Sequence, residues 1–218
     1  INFGTVINNP ALVTDAASEQ IRILIAAIVV NDTANQQGDV IENTGTLTFL
    51  DDVNGDGTRT TRTLTDTASV EIVEPQVDVT KVILPGAPAS PDAGDTLDYR
   101  VTLSHPGGTG NQEQNVTAFD VTAQDVLPSG LTIADTSSFS AILNPGSGQS
   151  VVSGLFNVTA TGWTISGDLD LLAGDTVVIE YEAVIEETVV DGQDLINEVD
   201  IEWTSLDGTN AGERGGDG

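Results

Sequence analysis

The 218-residue chain has no cysteine, no methionine, a single histidine (His105), a single lysine (Lys81) and only 4% aromatic residues. Lysine and arginine together number six against 34 acids, for a formal charge of −28. Each shortage excludes something. Without cysteine, no disulfide can staple the fold and no thiol can act as nucleophile or metal ligand. With one histidine, Ser-His-Asp hydrolysis and most histidine-built metal centres lose a residue they need. Six bases cannot neutralise a run of phosphates, so non-specific nucleic-acid binding is excluded. No apolar run reaches the ~18 residues of a membrane-spanning helix. What remains is 39% hydrophobic and rich in glycine, with 23 of them. That apolar content is too high for disorder and describes a folded chain under an acidic, self-repelling surface.

Alternation dominates the pattern. It runs through Ile21–Ile25, Leu97–Leu103, Val177–Ile185 and Leu195–Trp203, with apolar residues at every second position. A period of two marks half-buried antiparallel strands. Turn clusters such as Asn144-Pro145-Gly146-Ser147-Gly148 and Ala173-Gly174-Asp175 separate the runs. Thr14–Val30 comes nearest to a helix, but its β-branched residues favour strand. Short strands between such turns predict an all-β, antiparallel β-sandwich.

Two stretches match at long range. Ile21, Ile23, Ile25 and Ala27 align with Val177, Ile179, Tyr181 and Ala183. Gly38, Ile41, Asn43, Leu47 and Phe49 then align with Gly192, Leu195, Asn197, Ile201 and Trp203. A period of about 155 residues implies whole sandwich modules in tandem, not a small-repeat solenoid. In this phase, residues 1–75 read as the C-terminal half of one module. Residues 76–218 read as the following module without its final strand, which in the first copy runs from about Leu64 to Val73. Glu74-Pro75-Gln76 reads as a short, stiff linker. The expectation is a segment of a longer repetitive chain, or subunits that complete each other by strand addition.

The second module has further order. Val79-Thr80-Lys81 is followed by DAGDTLDY at Asp92–Tyr99, VTAQDVLPSGL at Val121–Leu131, AGDT at Ala173–Thr176 and Leu195-Ile196-Asn197. This succession resembles the bacterial DUF11 and fimbrial isopeptide-type Ig-like surface repeats across nearly all of residues 76–204. Phe3-Gly4-Thr5-Val6 and Asn43 resemble the back half of the same unit. The resemblance implies Ig-like modules in large secreted or cell-surface proteins, as stalks, fibres or adhesins. It implies no ligand.

Strand parity puts Lys81 on the face of Val77, Val79 and Ile83, which points it inward. It puts Asn197 with Leu195, Val199, Ile201 and Trp203, and Asp125 with Phe119, Val121, Ala123 and Leu127. Asp120 is set aside only by that count. Three buried polar groups are costly unless they meet. If they meet, burial favours the neutral amine and the neutral acid. The amine can then attack the asparagine carboxamide while Asp125 polarises its oxygen, giving an amide bond and ammonia. The resemblance points the same way, because such domains carry Lys–Asn crosslinks with an acidic helper. A plain Lys81–aspartate ion pair and an outward-reaching lysine are the readings left open. Asn43 occupies the equivalent position in the first half-module, and its lysine must come from elsewhere.

Asp52-Val53-Asn54-Gly55-Asp56-Gly57 opens like a calcium loop, with oxygen ligands at alternate positions and glycine at the turn. Asp51 and Thr58 flank it; the twelfth position is Thr63, which rules out an EF-hand. The counterpart loop offers Asp207, Asn210, Glu213 and Asp217. Glu74 and Asp78 could hold a cation at the junction. The alternative is a set of Asn-Gly and Asp-Gly turns with surface acids. Glycosylation triplets begin at Asn31, Asn115 and Asn157, and His105 reads as a loop residue. No catalytic constellation is present. The function expected is a structural repeat of an extracellular or cell-surface filament, stalk or matrix fibre. Its partners are copies of itself or flanking repeats joined head to tail, with no nucleic acid. The alternative is a calcium-dependent adhesin binding a glycan or surface ligand, for which Trp163 is the available aromatic.

Overall fold

A computed structural model describes residues 23–30, 32, 35–51, 57–106, 116–144, 148–210 and 213–217. Within them the chain is all-β and antiparallel, as the alternation predicts. Among the described residues, strands β1 (Val40–Asp51) and β2 (Thr60–Glu71) pair only with each other. Eleven more follow: β3 (Asp78–Ile83), β4 (Thr96–Ser104), β5 (Phe119–Val126), β6 (Leu131–Thr132), β7 (Ser140–Leu143), β8 (Ser150–Val151), β9 (Phe156–Thr159), β10 (Gly162–Ile165), β11 (Thr176–Ile185), β12 (Val199–Thr204) and β13 (Gly215–Asp217). One sheet has the order β3-β4-β11-β7-β8, with β6 also on β11; the other has β13-β12-β5-β10-β9. The only helix among the described residues is two single 3-10 turns, Thr136–Ser138 and Ser153–Leu155.

The core lies between these two sheets. Leu97, Tyr99, Val101 and Leu103 of β4 and Val177, Ile179, Tyr181, Ala183 and Ile185 of β11 line one wall. Val121, Ala123, Trp163, Ile165, Ile201 and Trp203 line the other. Each of the larger aliphatic side chains withdrawn from water contributes about 1.5–3 kcal/mol, which offsets the entropy of ordering so many short strands. Charged partners sit on the outer faces. Arg100 and Glu180, opposite each other on β4 and β11, form an ion pair at 2.5 Å that is about 40% exposed and worth little.

Two details depart from the sequence reading and two refine it. Residues 23–30 form no strand and leave Leu24, Ile25 and Ile28 exposed, because no described strand lies beside them to complete a ladder. The Glu74–Gln76 linker is clamped. Pro75 is buried and its carbonyl accepts the indole N–H of Trp203 at 3.0 Å, while Ile72 and Val77 are buried on either side. His105 lies in the loop just after β4, as the sequence suggests, but it is 1% exposed, and its Nε2–H donates to the Val116 carbonyl at 2.5 Å. Trp163, also 1% exposed, packs against Phe139 and Phe156 inside the sandwich, so it cannot stack on a sugar.

Candidate functional site

The inward side chain of each strand decides what this core contains. On β5 the buried positions are Val121, Ala123 and Asp125, followed by Leu127 beyond the strand end. Asp125 stands mid-sheet, opposite Val199 of β12 on one side and Trp163 of β10 on the other, and is 1% exposed. Gly162 makes this neighbourhood possible. At φ +136 a Cβ there would stand 1.9 Å from the Asp125 carbonyl oxygen, so no side chain fits.

Lys81 reaches the same point from the opposite sheet. It lies on edge strand β3, paired with Val101, and its side chain is 12% exposed. Its Nζ donates to Asp125 Oδ2 at 2.7 Å and lies 5.3 Å from the centroid of the Tyr99 ring. Asn197 precedes β12 by two residues, half-buried on the inner side. Its Nδ2 donates to the Tyr181 hydroxyl at 3.1 Å, and that hydroxyl donates to Asp125 Oδ2 at 2.5 Å. Lys81, Asp125 and Asn197 thus meet in one apolar core, with Tyr181 between the acid and the amide.

The electrostatics follow from burial. Desolvation pulls the Lys81 amine below the ordinary lysine range, against the opposing pull of the Asp125 carboxylate. Desolvation, reinforced by the Asp125 charge, pushes the Tyr181 phenol far above its ordinary value. Tyr99 is raised for the same leading reason. Two oxygens in this site, Asp125 Oδ1 and Asn197 Oδ1, are buried without a hydrogen-bond partner. Both are acceptors, and a buried unpaired acceptor is expensive.

Asp120 is turned away. With φ 49 it breaks the strand alternation, and its carboxylate accepts from Thr204 Oγ1 at 3.2 Å and from the Gly208 amide at 2.9 Å. Tyr181 is the participant the sequence reading passed over. Its signal was present: the inward position in Val177, Ile179, Tyr181, Ala183 is polar in a chain with two tyrosines.

The other candidate residues lie elsewhere. Asn43 sits on β1 opposite Ala68, on the ribbon face that carries Ile41, Leu47, Phe49, Leu64 and Val70. Asp52, Asn54 and Asp56 fall outside the described residues; Asp51 ends β1 and Thr58 is exposed. In the counterpart loop, Asn210 Nδ2 donates to the Asp207 carbonyl at 2.7 Å, and Glu213 accepts from the Asn210 amide at 2.8 Å. Asp217 lies in β13, opposite Glu202. Among the described residues no three histidine, cysteine or acidic side chains are grouped to hold a metal. At the junction, Glu74 pairs with Arg214, and Asp78 accepts from Gln76 at 3.1 Å.

The site and fold together define an antiparallel sandwich bolted through its core by a lysine, a carboxylate, a phenol and a carboxamide. No protein-family model matches the sequence, and a search of curated proteins finds no match. Among solved structures, the chain is similar to the full-length major pilin RrgB of Streptococcus pneumoniae, at 18% identity and a TM-score of 0.43, over 70% of this chain and 31% of that one. It is similar to the full-length major pilin SpaD of Corynebacterium diphtheriae, at 14% and 0.42, over 83% and 59%. It is also similar to the collagen-binding domain of the Erysipelothrix rhusiopathiae surface protein RspB, at 12% and 0.37, over 85% and 58%. The chain therefore spans less than two thirds of each of these structures.

Proposed function

We propose that the chain is a structural repeat segment of an extracellular or cell-surface filament, stalk or fibre, locked by an amide bond between Lys81 and Asn197. The observation that carries this reading is the buried convergence of Lys81, Asp125 and Asn197 in a core where each would otherwise be a liability. Proton transfer along the 2.7 Å contact to Asp125 leaves a neutral amine, the form of Lys81 that burial favours. The amine attacks Asn197 Cγ, the Asp125 carboxyl polarises the carbonyl oxygen, and ammonia leaves. The chain acts once, on itself. Such a bond ties β3 to the segment entering β12 and so joins the two sheets covalently, which suits a module that carries tension. The test is the intact mass of the folded protein, expected one ammonia below the sequence mass, together with a tryptic digest in which no free peptide ends at Lys81. An unmodified mass sinks the reading.

Two further parts belong to the same proposal. The apolar ribbon face around Asn43 docks a copy of this repeat or a flanking one, head to tail, a heterologous contact that propagates into a filament. The loop Asp51–Thr58 holds calcium through Asp52, Asn54 and Asp56, with the loop of Asp207, Asn210, Glu213 and Asp217 as its weaker counterpart.

A further inference from the structure

Lys81 Nζ and the Tyr181 hydroxyl both donate to one oxygen, Asp125 Oδ2, at 2.7 and 2.5 Å. The Tyr181 oxygen in turn accepts from Asn197 Nδ2 at 3.1 Å. The four groups form an unbroken hydrogen-bonded chain. It begins at the nitrogen that attacks and ends at the nitrogen that must leave. Crosslinking leaves these two nitrogens with opposite needs. The lysine nitrogen becomes cationic when its bond to Asn197 Cγ forms and has a proton to shed. The amide nitrogen departs as ammonia only after gaining one.

From this arrangement we propose that Tyr181 is a second catalytic residue of the crosslinking reaction, relaying a proton from Asp125 to the departing nitrogen of Asn197. The inference rests on the crosslink reading above and assigns to that reaction a group beyond the lysine, the asparagine and the helper acid. In the resting site the Asn197 N–H donates to the phenol oxygen. Attack at Cγ makes that nitrogen tetrahedral and gives it a lone pair, and the hydrogen bond reverses. The Tyr181 O–H proton then passes to the nitrogen while the phenol takes from Asp125 Oδ2 the proton that this oxygen received across the Lys81 contact. The C–N bond breaks, ammonia leaves, and the oxyanion pair restores the carbonyl. The Asp125 carboxylate removes the surplus proton from the lysine nitrogen. Overall one amine proton has moved to the leaving group; Asp125 and Tyr181 end as they began, and no other reactant is consumed.

The surroundings suit this role. Tyr181 is 2% exposed, and its ring stacks on Tyr99 with centroids 5.3 Å apart and planes 15° apart, so the hydroxyl is held in place. Desolvation keeps the phenol protonated, which a relay requires. A hydroxyl serving only to fill hydrogen bonds has no need to connect the two ends of a reaction.

The experiment follows mass loss with time in the full chain made by cell-free translation, with samples quenched in acid and urea. Tyr181→Phe keeps the ring and deletes the relay, and its crosslinking is expected to slow by about 100-fold or more, the usual contribution of a positioned proton donor. Circular dichroism on the same material checks that the variant folds. A folded Tyr181→Phe chain that loses ammonia at the wild-type rate overturns the relay and leaves the crosslink standing. A folded wild-type chain that never loses ammonia overturns both. A second measurement covers the case in which Tyr181→Phe does not fold. In a Tyr99→Phe background Tyr181 is the sole tyrosine. Supplying 3-fluorotyrosine therefore alters that phenol alone and makes it a stronger acid in the same geometry. Within this background the fluorinated chain is expected to react faster than the tyrosine chain; an equal or slower rate overturns the proposal.

Discussion

Tyr99 and Tyr181 face each other in register on β4 and β11, and their stacked rings hold the two phenols at the mouth of the Lys81–Asp125 contact. An antiparallel pair places side chains of directly opposed residues within ring-stacking range. The alignment of two strands therefore sets the position of a hydroxyl that touches both an acid and an amide. Shifting β11 by one residue would turn Tyr181 outward and replace it with Glu180 or Glu182.

Asp125→Ala is expected to abolish crosslinking and leave the Lys81 amine without its partner at a 12% exposed position. Breaking a buried pair from one side costs about 3–5 kcal/mol. Urea unfolding of the variant, against Lys81→Met, checks this. The methionine variant removes the stranded charge as well and is expected to be the more stable of the two.

The pH dependence can be read in Asn197→Ala, which cannot crosslink. The folded Lys81 amine lies below its ordinary value of 10.5, so across the interval between them the unfolded chain binds the proton more readily. Stability therefore rises with pH through that interval. Tyr181 acts in the opposite sense. Its folded value is raised, so its contribution is complete below the ordinary 10.0 and is lost as pH climbs past it. Urea midpoints are expected to climb on approaching pH 10 and to fall beyond it. A midpoint that declines steadily through the approach contradicts the lysine shift.

Gly162→Ala places a methyl 1.9 Å from the Asp125 carbonyl oxygen, on a backbone at φ +136. Strand β10 must move away from β5, and the Asp125 side chain moves with it. Strain of that kind costs of order 1–3 kcal/mol before any loss of strand pairing. The variant is expected to melt lower and to crosslink incompletely, both visible in one sample by calorimetry and intact mass.

Chelation is expected to lower the melting temperature, and calcium to restore it where sodium at equal ionic strength does not. Binding to the folded state alone adds RT ln(1+[L]/Kd), whereas screening of 34 acids responds to either cation. Asp52→Asn with Asp56→Asn should remove the calcium response. Equal recovery in sodium would reduce the effect to screening.

The sequence alone determined the class of fold and the faces of its strands, because a period of two is a local property that any half-buried strand must show. From that period Lys81, Asp125 and Asn197 were each legible as inward residues. Parity also separated Asp125 from Asp120, although the αL backbone that turns Asp120 away was hidden. Tertiary structure decided the rest. Lys81 lies on the edge of one sheet and Asp125 mid-way across the other, 44 residues apart in the chain, and no local pattern says which inward faces will be opposed. The insertion of Tyr181 between acid and amide depended on that opposition, as did the burial of Trp163 and the clamping of Pro75 by Trp203. The run at residues 23–30 has the composition of a strand, yet no described strand pairs with it, because a strand exists only where another backbone completes its hydrogen bonds.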